Sequence, residues 1–397
     1  MPTSSPTLPQ RFSLLAGLFA LCIAFVLTGC DDSSVGMDDG EETIEAPETY
    51  TFTRNGESSV SYSGQTDRLN MVAEMKSYLG QGDDGEEISE DVLLAMFTNE
   101  GGDGGGNFSF TSDRQLRNKT FAPDLDENMF EDFFAEAAAA SQNGAQGITA
   151  TNGTAGLLER GSGSTILVDE NGREFTQLVE KGLMGAVFYN QIFNVYLTDD
   201  RIGPDVENDE LEDGENYTAM EHHWDEAFGY TAAPVDFASG WSEDTDGSLS
   251  YWANYSNTVD QQLEGTNDAM MDAFINGRTA IVNDDTEAKN EARDALYEEL
   301  ELITAGTAVH YINSTLSALD AGEQGDAFHA LSEAWAFVNA IKYSPRRNLS
   351  IEEIETIRDE QFGTNRNFWN VTPASLNEAK ATLVEAYPEL EPVQDAI

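Results

Sequence analysis

Residues 327 to 341 read AFHALSEAWAFVNAI, and the only ionisable side chains in that run are His329 and Glu333. At a helical spacing of 3.6, Phe328, Leu331, Trp335 and Val338 share one face, while His329, Glu333 and Phe337 share another with Ala336 and Ala340. A helix so apolar on its several sides belongs in a core, so the His/Glu pair is enclosed. An earlier stretch repeats the pattern: His222 and Glu226 precede Ala227, Phe228, Gly229 and Tyr230, as His329 and Glu333 precede Ala334, Trp335, Ala336 and Phe337. Upstream of each copy lies a similar segment, Ala186-Val187-Phe188-Tyr189 in one and Ala308-Val309-His310-Tyr311 in the other. Each unit therefore reads as a helix, a loop and a second helix carrying the pair, which is the signature of a duplicated helical hairpin.

The expected fold is an all-α helical bundle built on that hairpin. Gly182 to Leu197 and Leu302 to Leu319 contain no charged residue, yet each is shorter than a bilayer span and carries Asn, Gln or His, so a bundle core is expected instead of a membrane helix. Pro345 follows the last of these helices, and further helices are expected from about Ile351 to Phe362 and from Thr372-Pro373 onward. Minor β-hairpins are expected near the N-terminus. Tyr50, Phe52, Val60 and Tyr62 alternate with polar residues around Asn55-Gly56, and Asn171-Gly172 separates Ile166-Leu167-Val168 from Phe175.

The first 29 residues read as a lipoprotein signal peptide: Arg11, an apolar run from Leu14 to Leu27, then Thr28-Gly29-Cys30. Cys30 is then the lipidated first residue of the mature chain, and the partner it implies is a membrane reached through the N-terminal lipid. Cys22 leaves with the signal, so any metal must be held by His and carboxylates. Residues 30 to 48 read as an acidic flexible tether and 49 to 397 as the helical domain. The expected location is the cell envelope, on the periplasmic or surface-exposed side of an outer membrane.

With 73 acidic against 20 basic residues, the formal charge is -53. The acids are spread along the chain, which repels nucleic acid and argues against a nucleic-acid partner. The acidic loops at Asp199 to Glu215 and Glu243 to Gly247 lack the ligand spacing of an EF-hand and read as solvated. No nucleophile with an adjacent base is recognisable, and the glycine runs at 101 to 106 and 143 to 163 lack the Lys-Ser/Thr of a phosphate loop.

Residues four apart on a helix are neighbours, so the pairs admit two readings. In one, each His is bonded to its own Glu and locks a hairpin in place. In the other, the hairpins meet and His222, Glu226, His329 and Glu333 form one site suited to iron, zinc or manganese. Further candidate ligands are His223, Asp225 and His310. His223 lies toward the Tyr217, Met220, Trp224 face and reads as a core or partner-facing residue, and His310 as a satisfied polar residue beside Asn313.

The blocks Asn55-Gly56-Glu57-Ser58, Tyr62-Ser63-Gly64-Gln65-Thr66, Glu221 to Tyr230, Phe328 to Glu333 and Trp369-Asn370-Val371-Thr372-Pro373 resemble those of a Gram-negative lipoprotein family known as a domain of unknown function. That family is associated with imelysin-like envelope lipoproteins, which are all-helical and tied to iron acquisition. The resemblance implies an envelope protein serving iron or metal uptake, with envelope uptake proteins as partners. Of the imelysin G-x-H-x-x-E motif, His223 and Glu226 supply the H-x-x-E part, with Glu221 where the Gly stands, and the copy at His329 and Glu333 is one residue longer. The expected function is thus a binding protein for a transition metal or a metal-bearing ligand. The alternatives are an interaction protein whose pairs only stabilise the core, and a hydrolase using a metal-bound water.

Overall fold

Asn55 and Gly56 take φ of +55° and +83°, the left-handed pair that a two-residue hairpin turn of type I′ requires. They join β1 (Thr53–Arg54) to β2 (Glu57–Ser58), with Arg54 opposite Glu57. A computed structural model describes residues 43–121 and 126–397; the expected signal peptide, Cys30 and the expected tether up to residue 42 lie outside the described residues. Residues 43 to 48, read from sequence as the end of the tether, already touch the domain: the Ile44 N–H donates to Asn283 Oδ1 (2.8 Å) and Asn283 Nδ2 donates to the Ile44 carbonyl (3.0 Å).

The rest is helical apart from one more hairpin. Helices α1 (Ser63–Leu79), α2 (Glu90–Thr98) and α3 (Asn128–Gly144) lead to β3 (Gly156–Glu159) and β4 (Thr165–Val168), which pair antiparallel with Leu157 opposite Leu167. The partner of Ile166 to Val168 is thus upstream, across a turn at residues 160 to 164. Asn171-Gly172 is the bend from β4 into α4 (Phe175–Leu183), not the turn of a second hairpin, and the Val168–Glu174 bridge is what spans it. The reason is packing: every residue of α4 is buried, so Phe175 starts a core helix. Gly172 (φ +84°) sits where an added Cβ would lie 2.5 Å from the Phe328 ring.

Helix α4 continues through the uncharged stretch in wider π-helical turns at Met184–Tyr189 and Ile192–Tyr196, a local expansion that apolar periodicity does not reveal. Then come α5 (Asp199–Ile202), α6 (Ala219–Gly229), α7 (Glu243–Asp246), α8 (Tyr251–Asp260), α9 (Thr266–Val282), α10 (Thr286–Ala321), α11 (Gln324–Ile341), α12 (Ile351–Thr356, prolonged by a π turn to Gln361) and α13 (Pro373–Ala386). The fold is all-α. The 36-residue α10 ends at Gly322 (φ +76°) and packs along α11 and α9, while α11 also packs on α4. In the first unit of the repeat, by contrast, residues 198 to 218 separate the helices, and α6 packs on α9 and α1. The two units share their element order and the packing of the second helix on the first, α11 on α10 and α6 on Ile192–Tyr196, but not their connection or their further neighbours. No helix among the described residues is long and apolar enough to cross a membrane.

Candidate functional site

Helix α6 begins with a capping box. Thr218 Oγ1 accepts from the Glu221 N–H (3.3 Å) and Glu221 Oε2 accepts from the Thr218 N–H (2.9 Å). This fixes the helical phase that sends His222 and Glu226 to one side and Glu221 and Asp225 to another. His222 Nε2 stands 3.9 Å from Glu226 Oε2, its Nδ1 is 3.0 Å from the Ser61 carbonyl, and its ring stacks on Tyr217 at 4.6 Å. The Tyr217 contact therefore falls to His222 and not to His223, because the residues before Thr218 leave the helical path. Glu226 accepts from Gln65 Nε2 (2.9 Å) and from the Tyr196 hydroxyl (3.1 Å). Both donors are side chains of the core and both hold Oε1, leaving Oε2 to face His222.

The second pair is more deeply set. His329 Nδ1 is 2.8 Å from Glu174 Oε2 and its Nε2 is 3.6 Å from Glu333 Oε2, while Glu333 Oε1 is 3.5 Å from Lys181 Nζ. Lys181 is also paired with Glu180, which takes Lys76 at 2.8 Å. Burial works against the charged imidazole of His329, but the Glu174 hydrogen bond and the charges of Glu174 and Glu333 outweigh it and raise the pKa. Burial raises the Glu333 carboxyl against the pull of Lys181 and His329. Burial likewise opposes the Lys181 ammonium, yet Glu180 and Glu333 hold it above its ordinary value. Asp83 completes the neighbourhood: burial first, then the like charge of Glu174, push its carboxyl up to about 7.

The pairs do not converge. Gln65 holds Glu226 near the start of α1, whereas Lys76 reaches Glu180, beside Lys181 and Glu333, near its end. Eleven residues of helix separate them, roughly 16 Å along the axis. Among the described residues, no three His, Cys, Asp or Glu side chains are gathered so as to hold a metal ion. The four sequence-derived ligands His222, Glu226, His329 and Glu333 thus lie in two separate settings, each turned toward protein partners.

The additional candidates differ from one another. Asp225 is fully buried, accepting from the Tyr50 hydroxyl (2.7 Å), Arg278 Nε (3.0 Å) and the Ser61 N–H (3.1 Å). Burial pushes its carboxyl up to about 6 against the pull of Arg278. His223 is half-buried with Nδ1 2.7 Å from the Arg201 carbonyl, and burial lowers its pKa. His310 is half-buried edge-on to Tyr311 at 5.0 Å, also lowered by burial, and lines an open cavity with Asn313 and Asp395.

Sequence reading passed over the strongest ionic unit. Arg278, with no exposed side-chain surface, bridges Asp225 and Glu221 Oε1 (2.8 Å), and Arg54 pairs with Glu221 from outside (2.8 Å). Burial would raise the Glu221 carboxyl, but the Arg54 hydrogen bonds and the Arg278 charge hold it below its ordinary range. Helix α9 approaches closely here because residue 277 is glycine: a Cβ would lie 2.0 Å from the Trp224 ring. The available signals were the Thr218-x-x-Glu221 box and the lone arginine of α9. The ties of Glu174 to His329, Lys181 to Glu333 and Asp83 to Leu167 and Thr176 gave none, since those partners lie far away in sequence.

An all-α domain with histidine–carboxylate ties inside its core is what the fold and the site define. The chain belongs to the family described as Domain of unknown function (DUF4856), which matches residues 47–388. No curated protein and no solved structure matches it.

Proposed function

We propose that the protein is a lipid-anchored cell-envelope protein that acts by binding, with its two His/Glu pairs serving as internal ties of the binding domain. The observation that carries the reading is that the protein itself engages both pairs: Gln65 and Tyr196 hold Glu226 Oε1, and Glu174 and Lys181 hold His329 and Glu333. Groups committed in this way hold helices together, and an unpaired buried charge would be costly in their place. The anchor rests on the Thr28-Gly29-Cys30 sequence after an apolar run. Changing Cys30 to Ser is expected to release the protein from lipid attachment; a variant that still carries a diacylated N-terminus would contradict the anchor.

A second reading is a carrier of iron, zinc or manganese in support of uptake, and what favours it is the resemblance of its sequence blocks to a family associated with imelysin-like lipoproteins, together with the carboxylates at both ring nitrogens of His329. Metal analysis of the purified full chain separates the two. Substoichiometric metal supports the structural reading, whereas one equivalent that disappears in His329→Ala supports the carrier.

A further inference from the structure

A cavity of about 610 Å3 opens between α1, α4 and the start of α8. Its volume is that of a site for a small organic molecule. One wall is the α1 face bearing Thr66, Leu69, Ala73 and Lys76, and the opposite wall carries Tyr251 and Tyr255. The charged residues of the lining are Lys76, Lys181 and Glu180, and because Lys181 is also paired with Glu333 behind the lining, Lys76 is the cation that faces the cavity. Elsewhere the surface charge runs the other way. Four other cavities of about 570, 600, 390 and 550 Å3 have linings that are balanced, with four basic against four acidic side chains, or negative.

Two of the three charged groups are built into the core: Glu180 and Lys181 are 8% and 4% exposed. Lys76 is the accessible one, its side chain 43% exposed, and a 2.8 Å contact to Glu180 leaves two of its three ammonium donors for a ligand. The rim also contains Ala232 and Tyr251 at φ +61° and +50°. A residue other than glycine seldom adopts that conformation, and such residues cluster at functional sites. The Tyr251 hydroxyl donates to the Leu69 carbonyl (2.6 Å), which fixes the distance between the two walls.

From these features we infer that the cavity binds a small organic monoanion, a carboxylate on an aromatic or alicyclic body, with Lys76 holding the carboxylate and Leu69, Tyr251 and Tyr255 covering the apolar part. A single accessible ammonium in a chain of formal charge -53 matches a monoanion and disfavours a phosphate dianion. This site rests on the reading of the chain as a binding protein and is independent of the lipid anchor; its lining shares Lys181 with the His329/Glu333 pair, but the group assigned to the ligand is Lys76, which pairs with Glu180.

Isothermal titration of the purified full chain with naphthoate, naphthalenemethanol and naphthyl phosphate tests it. Saturable one-site binding of naphthoate is expected, about tenfold tighter than the neutral alcohol, and Lys76→Ala should lose about that factor. Ala73→Trp, which fills the cavity from an exposed helix position, should abolish binding without lowering Tm, and Arg366→Ala, on another cavity, should bind as the unaltered chain does. No saturable naphthoate binding, Lys76→Ala binding as tightly as the unaltered chain, or preference for the phosphate would overturn the inference. None of these results bears on the metal analysis, so the site can fail while the structural reading of the pairs stands.

Discussion

His329 on α11 and Glu174, the residue just before α4, meet at 2.8 Å across 155 residues of sequence. The contact turns a buried carboxylate, 1% exposed, into half of an ion pair that ties two core helices together. His329→Ala takes the imidazole from Glu174, which keeps only the neutral Gln177 amide (3.0 Å), and from Glu333, which keeps Lys181 and Tyr311, so a loss on the order of 3 to 5 kcal/mol is expected. His222→Ala should cost only about 1 kcal/mol, because Glu226 keeps Gln65 and Tyr196 and is itself partly exposed. Urea denaturation of both variants measures the difference; equal losses would contradict the asymmetry.

The pH dependence follows from groups whose folded pKa is raised. Asp83 and Glu299 are pushed up to about 7 and Asp225 to about 6, all by burial first. An acid raised in this way binds more protons when folded, so its contribution to stability grows as pH falls through the folded value toward the ordinary carboxylate range near ~4. His329, also raised, contributes fully below its ordinary pKa, and that contribution is lost as pH rises through the folded value. Glu180 and Glu221, held low by their cations, lose theirs as pH falls through their folded values. Tm is therefore expected to climb from about pH 8 to about pH 5.5 and to drop again in stronger acid.

Asp83→Asn isolates one of these groups. The Asp83 carboxylate accepts from the Leu167 N–H (2.7 Å) and Thr176 Oγ1 (3.2 Å). An amide can keep both contacts while removing the repulsion from Glu174. Tm at about pH 8 should rise and the slope between about pH 5.5 and 8 should flatten. A lower Tm at the alkaline end would show that the Asp83 charge is stabilising.

Arg278 is expected to be the least replaceable residue of the site. Truncation to Ala leaves Glu221 and Asp225 facing each other without their shared cation, a cost on the order of 3 to 5 kcal/mol. Lysine should not restore it, since Asp225, Glu221 and the Ser59 carbonyl are met by three separate nitrogens of a planar fork, a spread that one ammonium nitrogen does not reproduce. Thermal melts of both variants check this, and lysine at unaltered stability would contradict the bridging role.

Self-repulsion among 73 acidic side chains is relieved by screening. Tm should rise between about 20 mM and about 500 mM NaCl. A flat or falling Tm would locate the acids in paired, and not merely solvated, positions.

What could be read from sequence was local. Asn55-Gly56 announced its hairpin because only left-handed residues close so short a turn, Thr372-Pro373 announced α13, and the apolar run from Ala327 to Ile341 announced a buried α11. The pairing of each histidine with the glutamate four residues on was also legible. What remained hidden depends on partners remote in sequence: β3 as the mate of Ile166 to Val168, the Arg278 bridge 53 and 57 residues from its carboxylates, and Glu174 on His329. The repeat suggested a common interior, but the different connections give α6 and α11 different neighbours, and periodicity carries no information on that.

The separateness of the two pairs is tested most directly by the coupling energy between His222→Ala and His329→Ala in a double-mutant cycle on the metal-free chain. Losses that add to within about 0.5 kcal/mol are expected, because no side chain bonds to both pairs. A coupling energy above about 1 kcal/mol would place the pairs in contact and contradict the assignment of each to its own structural tie.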